Sequence, residues 1–207
     1  MVHVLIVDDQ RTGRYVLEEC VTNLDGYTLV RSIENAAMAE LYCERGRIDL
    51  ILMDVCTAHG ESGLAAAAKI KQLYPYIKII IVTSMPEYSF IEKAKQAGCD
   101  SFWYKDAGHK LLSDVIKCTM SGENIYPEGT PVLNIGLAQS IEFTPREMEV
   151  LREIVNGSTY KEISEVLGMS ENTLKTHIKH LLSKSGYKST LKLAVDVVNK
   201  KLVLPGF

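Results

Sequence analysis

Asp8, Asp9 and Asp54 are the residues whose type and placement point first to chemistry. Asp8 and Asp9 follow directly on the apolar run His3–Val7, and Asp54 closes the run Asp49–Met53. Short runs rich in Val, Ile and Leu read as buried strands, so these acids fall at strand ends. If the strands are neighbours, three carboxylates converge on one cavity. Close carboxylates repel unless a hard divalent cation stands between them, and an all-oxygen donor set suits Mg²⁺. Thr83 ends a further apolar run, Lys78–Val82, and Lys105 ends Ser101–Tyr104. A hydroxyl donor and an ammonium at the same edge are what a phosphoryl group in transfer needs around its oxygens. Each of these residues alone would be an ordinary solvated loop residue. Their coincidence at four strand ends is the signal.

The elements that must position them alternate. Five apolar strands (the four above and Tyr27–Ser32) are separated by segments with apolar residues at helical spacing, such as Leu17, Cys20, Val21 and Leu24, or Phe90, Ile91, Ala94 and Ala97. Five strand–helix repeats predict a doubly wound α/β fold, a five-stranded parallel sheet with helices on both faces. In such sheets ligands bind beyond the carboxyl ends of the strands, at the point where the winding reverses. This first block spans residues 1–121. Residues 122–140, with Gly122, Pro127, Gly129, Pro131 and Gly136, read as a linker.

Residues 141–207 carry no strand signal and read as a small all-α domain. Thr144-Pro145-Arg146-Glu147 and Thr159-Tyr160-Lys161-Glu162 are capping boxes, the first with proline at the opening helical position. The second opens a short helix that breaks at Gly168-Met169-Ser170, and Glu171 begins a longer one; two helices joined this way form a helix-turn-helix. On the longer helix Leu174, Ile178, Leu181 and Leu182 form a core face, while Lys175, Thr176 and Lys179 lie opposite. A lysine can donate to guanine O6 and N7, and a threonine methyl can meet a thymine methyl in the major groove. Ser170, Thr173, Lys184 and Lys188 would hold phosphates. In the closing helix Leu191, Ala194, Val195 and Val198 are read as facing the domain core. Leu193 and Val197 then form a second apolar stripe, available to a partner helix.

Composition limits the alternatives. The 207 residues are 46% hydrophobic and 24% charged, which excludes wholesale disorder, and no apolar run approaches a membrane span. Five cysteines without CxxC spacing fit buried thiols in a reducing compartment, so a cytoplasmic location is expected. The net charge is −3, yet residues 171–192 carry five lysines against one acid, a local basic stripe suited to a polyanion. His177 and His180 are spaced for a metal but have no further ligands nearby.

Residues 1–121 resemble the receiver domain of two-component response regulators. The matching residues are Val7-Asp8-Asp9, Asp54 after Leu50–Met53, Val82-Thr83-Ser84, and Phe102 three before Lys105. Residues 141–203 resemble the LuxR-type DNA-binding domain through Phe143–Glu147, Lys161-Glu162-Ile163, Leu167–Ser170, Thr173–Ile178 and Lys188-Ser189. The block order resembles the NarL/FixJ subfamily. The resemblance implies that Asp54 is the phosphoacceptor for a sensor histidine kinase. It implies that Asp8, Asp9, Asp54 and the backbone carbonyl of Cys56 hold Mg²⁺. Lys105 would neutralise developing charge, Thr83 would bond a phosphoryl oxygen, and Phe102 would move into space Thr83 vacates. It further implies a homodimer, joined through the closing helix, on double-stranded DNA with two half-sites.

After Asp54 the chain departs from the family pattern. Val55-Cys56-Thr57-Ala58-His59-Gly60 stands where a Met-Pro is usual, and Gly63 comes one position late. That loop motivates an alternative, a DNA-binding regulator whose receiver senses a partner or redox state without phosphorylation. A turnover phosphatase with an aspartate nucleophile needs a second acid two residues on, and Cys56 stands there, so an enzyme is not expected.

Overall fold

A computed structural model describes residues 1–87, 89–105 and 111–206. Its described residues divide into two compact units, one built from residues 1–84 and 89–129 and the other from residues 85–87 together with residue 130 onward.

The first unit is built on five parallel strands: β1 (Val2–Val7), β2 (Tyr27–Ile33), β3 (Leu50–Met53), β6 (Lys78–Thr83) and β7 (Ser101–Tyr104). A two-residue hairpin, β4 (Cys56–Thr57) and β5 (Glu61–Ser62), follows β3. The helices are α1 (Arg11–Thr22), α2 (Ala39–Arg45), α3 (Gly63–Leu73), α4 (Phe90–Gln96) and α5 (Leu112–Met120). The sheet order is β2-β1-β3-β6-β7. Strands β1, β3 and β6 are apolar on both faces because both are covered, which is why they read as continuous runs and not as alternation. One face is decided by Val4, Ile6, Leu50, Leu52, Ile80 and Val82, packed on Leu17 and Val21 of α1 and Val115 and Ile116 of α5. The chain leaves β1 toward β2 and later returns to β1's other side with β3, so the winding reverses at β1.

A charge cluster closes the opposite end of the sheet. Buried Asp100 takes Lys71 Nζ at 3.0 Å, Lys78 Nζ at 2.9 Å and the Ile79 N–H at 2.9 Å. Burial opposes its ionisation, but the two lysines and the amide outweigh it and hold its pKa below the usual carboxylate range.

The second unit opens with a hairpin, β8 (Asn134–Ile135) and β9 (Ala138–Gln139), and continues through α6 (Pro145–Val155), α7 (Tyr160–Val166), α8 (Glu171–Ser185) and α9 (Thr190–Asn199). Both capping boxes form: Thr144 and Thr159 accept from the backbone of Glu147 and Glu162, whose carboxylates return to the threonine N–H. Gly168, with φ 61°, makes the turn between α7 and α8.

Residues read as linker contribute to both cores. Ile125 packs on the first core, and its N–H donates to Ser101 Oγ at 3.0 Å. Ile135 and Ala138 lie in the second core. Single apolar residues among glycines and prolines carry no periodicity, so pattern reading alone passes over them.

The closing helix is turned from its expected orientation. Leu193 and Val197 are fully buried in the second core, whereas Leu191 is 73% and Val195 51% exposed. Two apolar stripes on one helix cannot be ranked from the helix alone. The contacts of α9 with α6, α8 and β8 select the Leu193–Val197 stripe.

Candidate functional site

Strand order brings the site together. Strands β1, β3, β6 and β7 lie side by side, and the residue after each ladder continues it by one bond. The Asp54 N–H donates to Val7 O at 2.8 Å, and the Lys105 N–H donates to Thr83 O at 2.9 Å. Asp8, Asp54, Thr83 and Lys105 therefore emerge on one edge, at the winding reversal. Asp8, Asp54 and Thr83 are buried, and Asp9 is exposed beside them.

Lys105 Nζ lies 2.7 Å from Asp8 Oδ2 and 2.7 Å from Asp54 Oδ2. Asp8 Oδ1 accepts the Gln10 N–H at 2.9 Å, and Asp54 Oδ1 accepts the Val55 N–H at 2.7 Å. Burial raises the Asp54 pKa, and the Asp8 charge adds to the rise, while Lys105 opposes it. Burial works against the Lys105 charge as well, yet the two carboxylates outweigh it and hold its pKa above the usual value. One ammonium thus serves two buried acids, with a third carboxylate adjacent.

Carboxylate oxygens of Asp8, Asp9 and Asp54 all lie within 4.8 Å of one another. This donor set fits a hard divalent cation on two counts: it is all oxygen, and its charge exceeds what Lys105 balances. Cys56, the remaining expected donor through its carbonyl, begins β4 two residues after Asp54.

The altered loop is accommodated locally. His59 (φ 64°) and Gly60 (φ 74°) turn the hairpin in left-handed conformations, and this absorbs the additional residue. Gly63 is consequently still packed against the acceptor strand end: its N–H donates to Val55 O at 2.8 Å, and a Cβ there would fall 1.8 Å from Asp54 O.

Two residues of this site escaped sequence reasoning. A Cβ at Gly13 would lie 2.5 Å from Asp8 Oδ2, so a side chain there would displace the carboxylate. The available signal was a glycine inside a helix, which costs about 1 kcal/mol without a packing reason. The other is Tyr104. In the sheet Thr83 pairs with Tyr104, while Phe102 pairs with Ile81. Phe102 is already fully buried, and its ring meets that of Tyr104 edge-on at 4.9 Å.

On α8 the buried row is Leu174, Ile178, Leu181 and Ser185. Lys175, Thr176 and Lys179 are exposed on the far side, and Lys188 is exposed beyond the helix end. Asn172 and His180 share that outer face and were missed, although extending the helical wheel would have found them. Ser170 caps α8, accepting the Thr173 N–H at 3.2 Å, and the two hydroxyls bond each other at 2.9 Å.

Lys184 corrects the phosphate-contact expectation. Its Nζ donates to Glu147 Oε2 at 2.7 Å and to Glu142 O at 2.9 Å. Glu147 is 2% exposed, and a buried carboxylate requires a cation, so the lysine turns inward. Burial opposes the Glu147 charge, but Lys184 and Thr144 outweigh it and lower its pKa. Lys184→Met should destabilise the second unit by about 2 kcal/mol, by leaving that acid unpaired. The clamp is at full strength above the ordinary glutamate pKa of 4.5 and weakens as pH falls below it, so the mutant also loses that acid sensitivity. Lys188→Ala, at an exposed position expected to meet phosphate, should leave thermal unfolding unchanged and reduce the salt dependence of DNA binding by about one phosphate contact. Melting curves and salt titrations of both variants check the contrast.

Comparison with known proteins identifies the family. Residues 4–117 match the response regulator receiver domain, and residues 142–197 match the luxR family of bacterial regulatory proteins. The chain is a response regulator. It carries a LuxR-type DNA-binding domain behind its receiver, the arrangement of the NarL/FixJ subfamily. This response regulator is 29% identical over 188 residues to the response regulator protein VraR of Staphylococcus aureus, covering 88% of this chain and 90% of that protein. Its fold is similar to that of RcsB in a structure of two RcsB dimers bound to two parallel DNAs, with TM-score 0.64, 17% identity and coverage of 95% and 98%. It is also similar to the response regulator ChrA of a heme-sensing two-component system, with TM-score 0.52, 21% identity and coverage of 98% of both chains. Among the described residues, no helix is long and apolar enough to cross a membrane.

Proposed function

We propose that this response regulator accepts a phosphoryl group on Asp54 from the phosphohistidine of a sensor kinase, and that the modified receiver promotes DNA binding by a dimer. In this reading residues 1–121 form the acceptor unit and residues 141–207 the DNA-binding unit. The observation that carries it is the sharing of Lys105 between buried Asp8 and Asp54, with Asp9 and Thr83 on the same edge. An Asp54 carboxylate oxygen forms the new P–O bond as the kinase's N–P bond breaks. Lys105 moves its charge from the acids toward the phosphoryl oxygens, and the Thr83 hydroxyl donates to one of them. Asp8, Asp9, Asp54 and the Cys56 carbonyl would hold Mg²⁺, which supplies charge neutralisation for acids and phosphoryl group alike. Phe102 and its neighbour Tyr104 report the change at Thr83 to the exterior of the sheet.

In the second unit Lys175, Thr176 and Lys179, joined by Asn172 and His180, read base edges. Ser170, Thr173 and Lys188 meet phosphates. The partner-facing stripe is Leu191, Ala194, Val195 and Val198, in place of Leu193 and Val197. The RcsB dimers on DNA support a two-half-site arrangement. A kinase and a cytoplasmic setting follow from the same reading.

The test is operator affinity, using fragments selected from host DNA, with and without acetyl phosphate and Mg²⁺. Phosphorylation should tighten binding about tenfold or more, which needs only about 1.4 kcal/mol of differential stabilisation. Equal affinities after confirmed phosphorylation would sink the coupling and favour a receiver that senses something other than phosphate.

A further inference from the structure

Arg14 is buried along most of its length at the start of α1, and no sequence motif discussed above includes it. One guanidinium nitrogen donates to the Asp8 backbone oxygen at 2.6 Å, and the other donates to Glu34 Oε1 at 2.6 Å. The side chain of Arg14 is 14% exposed and that of Glu34 62%. Glu34 in turn carries the loop that follows the acceptor. Its backbone oxygen accepts the Ala58 N–H at 2.9 Å. Two residues further on, the Ala36 N–H donates to Thr57 Oγ1 at 3.0 Å, and that hydroxyl donates to Glu61 O at 2.9 Å.

The consequence is geometric. The Asp8 oxygen belongs to the peptide plane that also contains the Asp9 nitrogen, and that plane is rigid. Fixing its oxygen restrains the orientation of the peptide that leads into Asp9. Asp9 is the exposed acid of the three. The same guanidinium reaches through Glu34 to the segment containing Cys56. One planar fork thus links two of the elements that bear oxygen donors, the end of β1 and the loop after Asp54.

We infer that Arg14 and Glu34 are positioning residues of the acceptor site, holding the Asp9 carboxylate and the Cys56 segment in register for a divalent cation. The inference rests on the cation site proposed above. A planar fork with two fixed donors does this where a lysine could not, because a single ammonium cannot span the Asp8 oxygen and Glu34 in the same geometry.

The sign of the effect separates this role from simple electrostatics. Removing a positive charge near a cation site should strengthen metal binding if charge alone matters. A positioning role predicts the reverse. Mg²⁺ affinity of the full chain is measured by titration calorimetry with magnesium chloride alone, alongside thermal unfolding without metal. Arg14→Gln should bind Mg²⁺ about tenfold more weakly, the usual cost of losing a residue that orients metal ligands. Arg14→Lys, which keeps the charge and loses the fork, should weaken binding in the same direction. Metal-free unfolding temperatures should change little, since Glu34 is mostly solvated. Unchanged or tighter binding by Arg14→Gln overturns the inference. If that variant does not fold, unchanged binding by Arg14→Lys overturns it. Absence of Mg²⁺ binding by the unsubstituted chain is a separate result, which refutes the cation site itself.

Discussion

Asp54→Asn protein should take up no phosphoryl group from acetyl phosphate and Mg²⁺, and it should unfold at a temperature no lower than the unsubstituted chain. The loss is complete because the amide offers no carboxylate oxygen for the new bond. The stability result follows from burial. Asp54 is 3% exposed, its pKa is raised by that burial and by Asp8, and Lys105 must serve both acids. A neutral amide leaves Lys105 to Asp8 and removes one desolvated charge. The sign can be checked against pH. A carboxyl whose pKa is raised on folding is most compatible with the fold when protonated, and its ionisation costs stability as pH rises from the unfolded value toward the folded one. Above that window the unsubstituted receiver bears the full cost and the asparagine variant does not. Radiolabel uptake and metal-free melting curves at neutral pH test both parts. A strongly destabilised variant would mean that Asp54 is structural.

Leu191→Glu should lower affinity for a two-half-site operator about a hundredfold while leaving binding to an isolated half-site intact. Leu191 and Val195 lie one turn apart and are 73% and 51% exposed, so a charge there disturbs no packed core. In the proposed dimer, between two apposed α9 helices, the same charge would meet apolar surface and a like charge. Loss of the dimer removes the effective concentration with which the second half-site is engaged, a factor of about 10² or more. Leu193→Glu is the control: placed in the core, it should unfold the domain outright. Fluorescence anisotropy with one and two half-sites, together with sedimentation, separates these outcomes. Equal loss on both DNAs would move the role of Leu191 from dimerisation to DNA contact.

The parts legible in the sequence were those decided by local pattern. Continuous apolar runs marked β1, β3 and β6, since strands covered on both faces have no polar side to alternate. Their terminal residues Asp8, Asp54, Thr83 and Lys105 then followed from the order of such sheets. Capping boxes at Thr144 and Thr159 opened α6 and α7 where expected, because a cap is a short-range bond between residues three apart. What was not legible depends on partners distant in sequence. Lys184 reads in the sequence as a phosphate contact, but its ammonium is taken by Glu147, thirty-seven residues earlier. The orientation of α9 required knowing which apolar stripe met α6 and α8. Gly13 carries meaning only once Asp8 Oδ2 is seen above it. Ile125 and Ile135 each belong to a core that neighbouring residues do not announce.

In the proposed function, one edge of the receiver sheet is a phosphoryl-acceptor site with Asp54 as its nucleophile. Incubating the full chain with a small phosphoryl donor, with and without Mg²⁺, and locating the group by peptide mass spectrometry tests it most directly. A single Mg²⁺-dependent phosphoryl group on the peptide containing Asp54 is the predicted result. Uptake at a different residue, or uptake at Asp54 that is indifferent to Mg²⁺ and to the loss of Asp9, would contradict it.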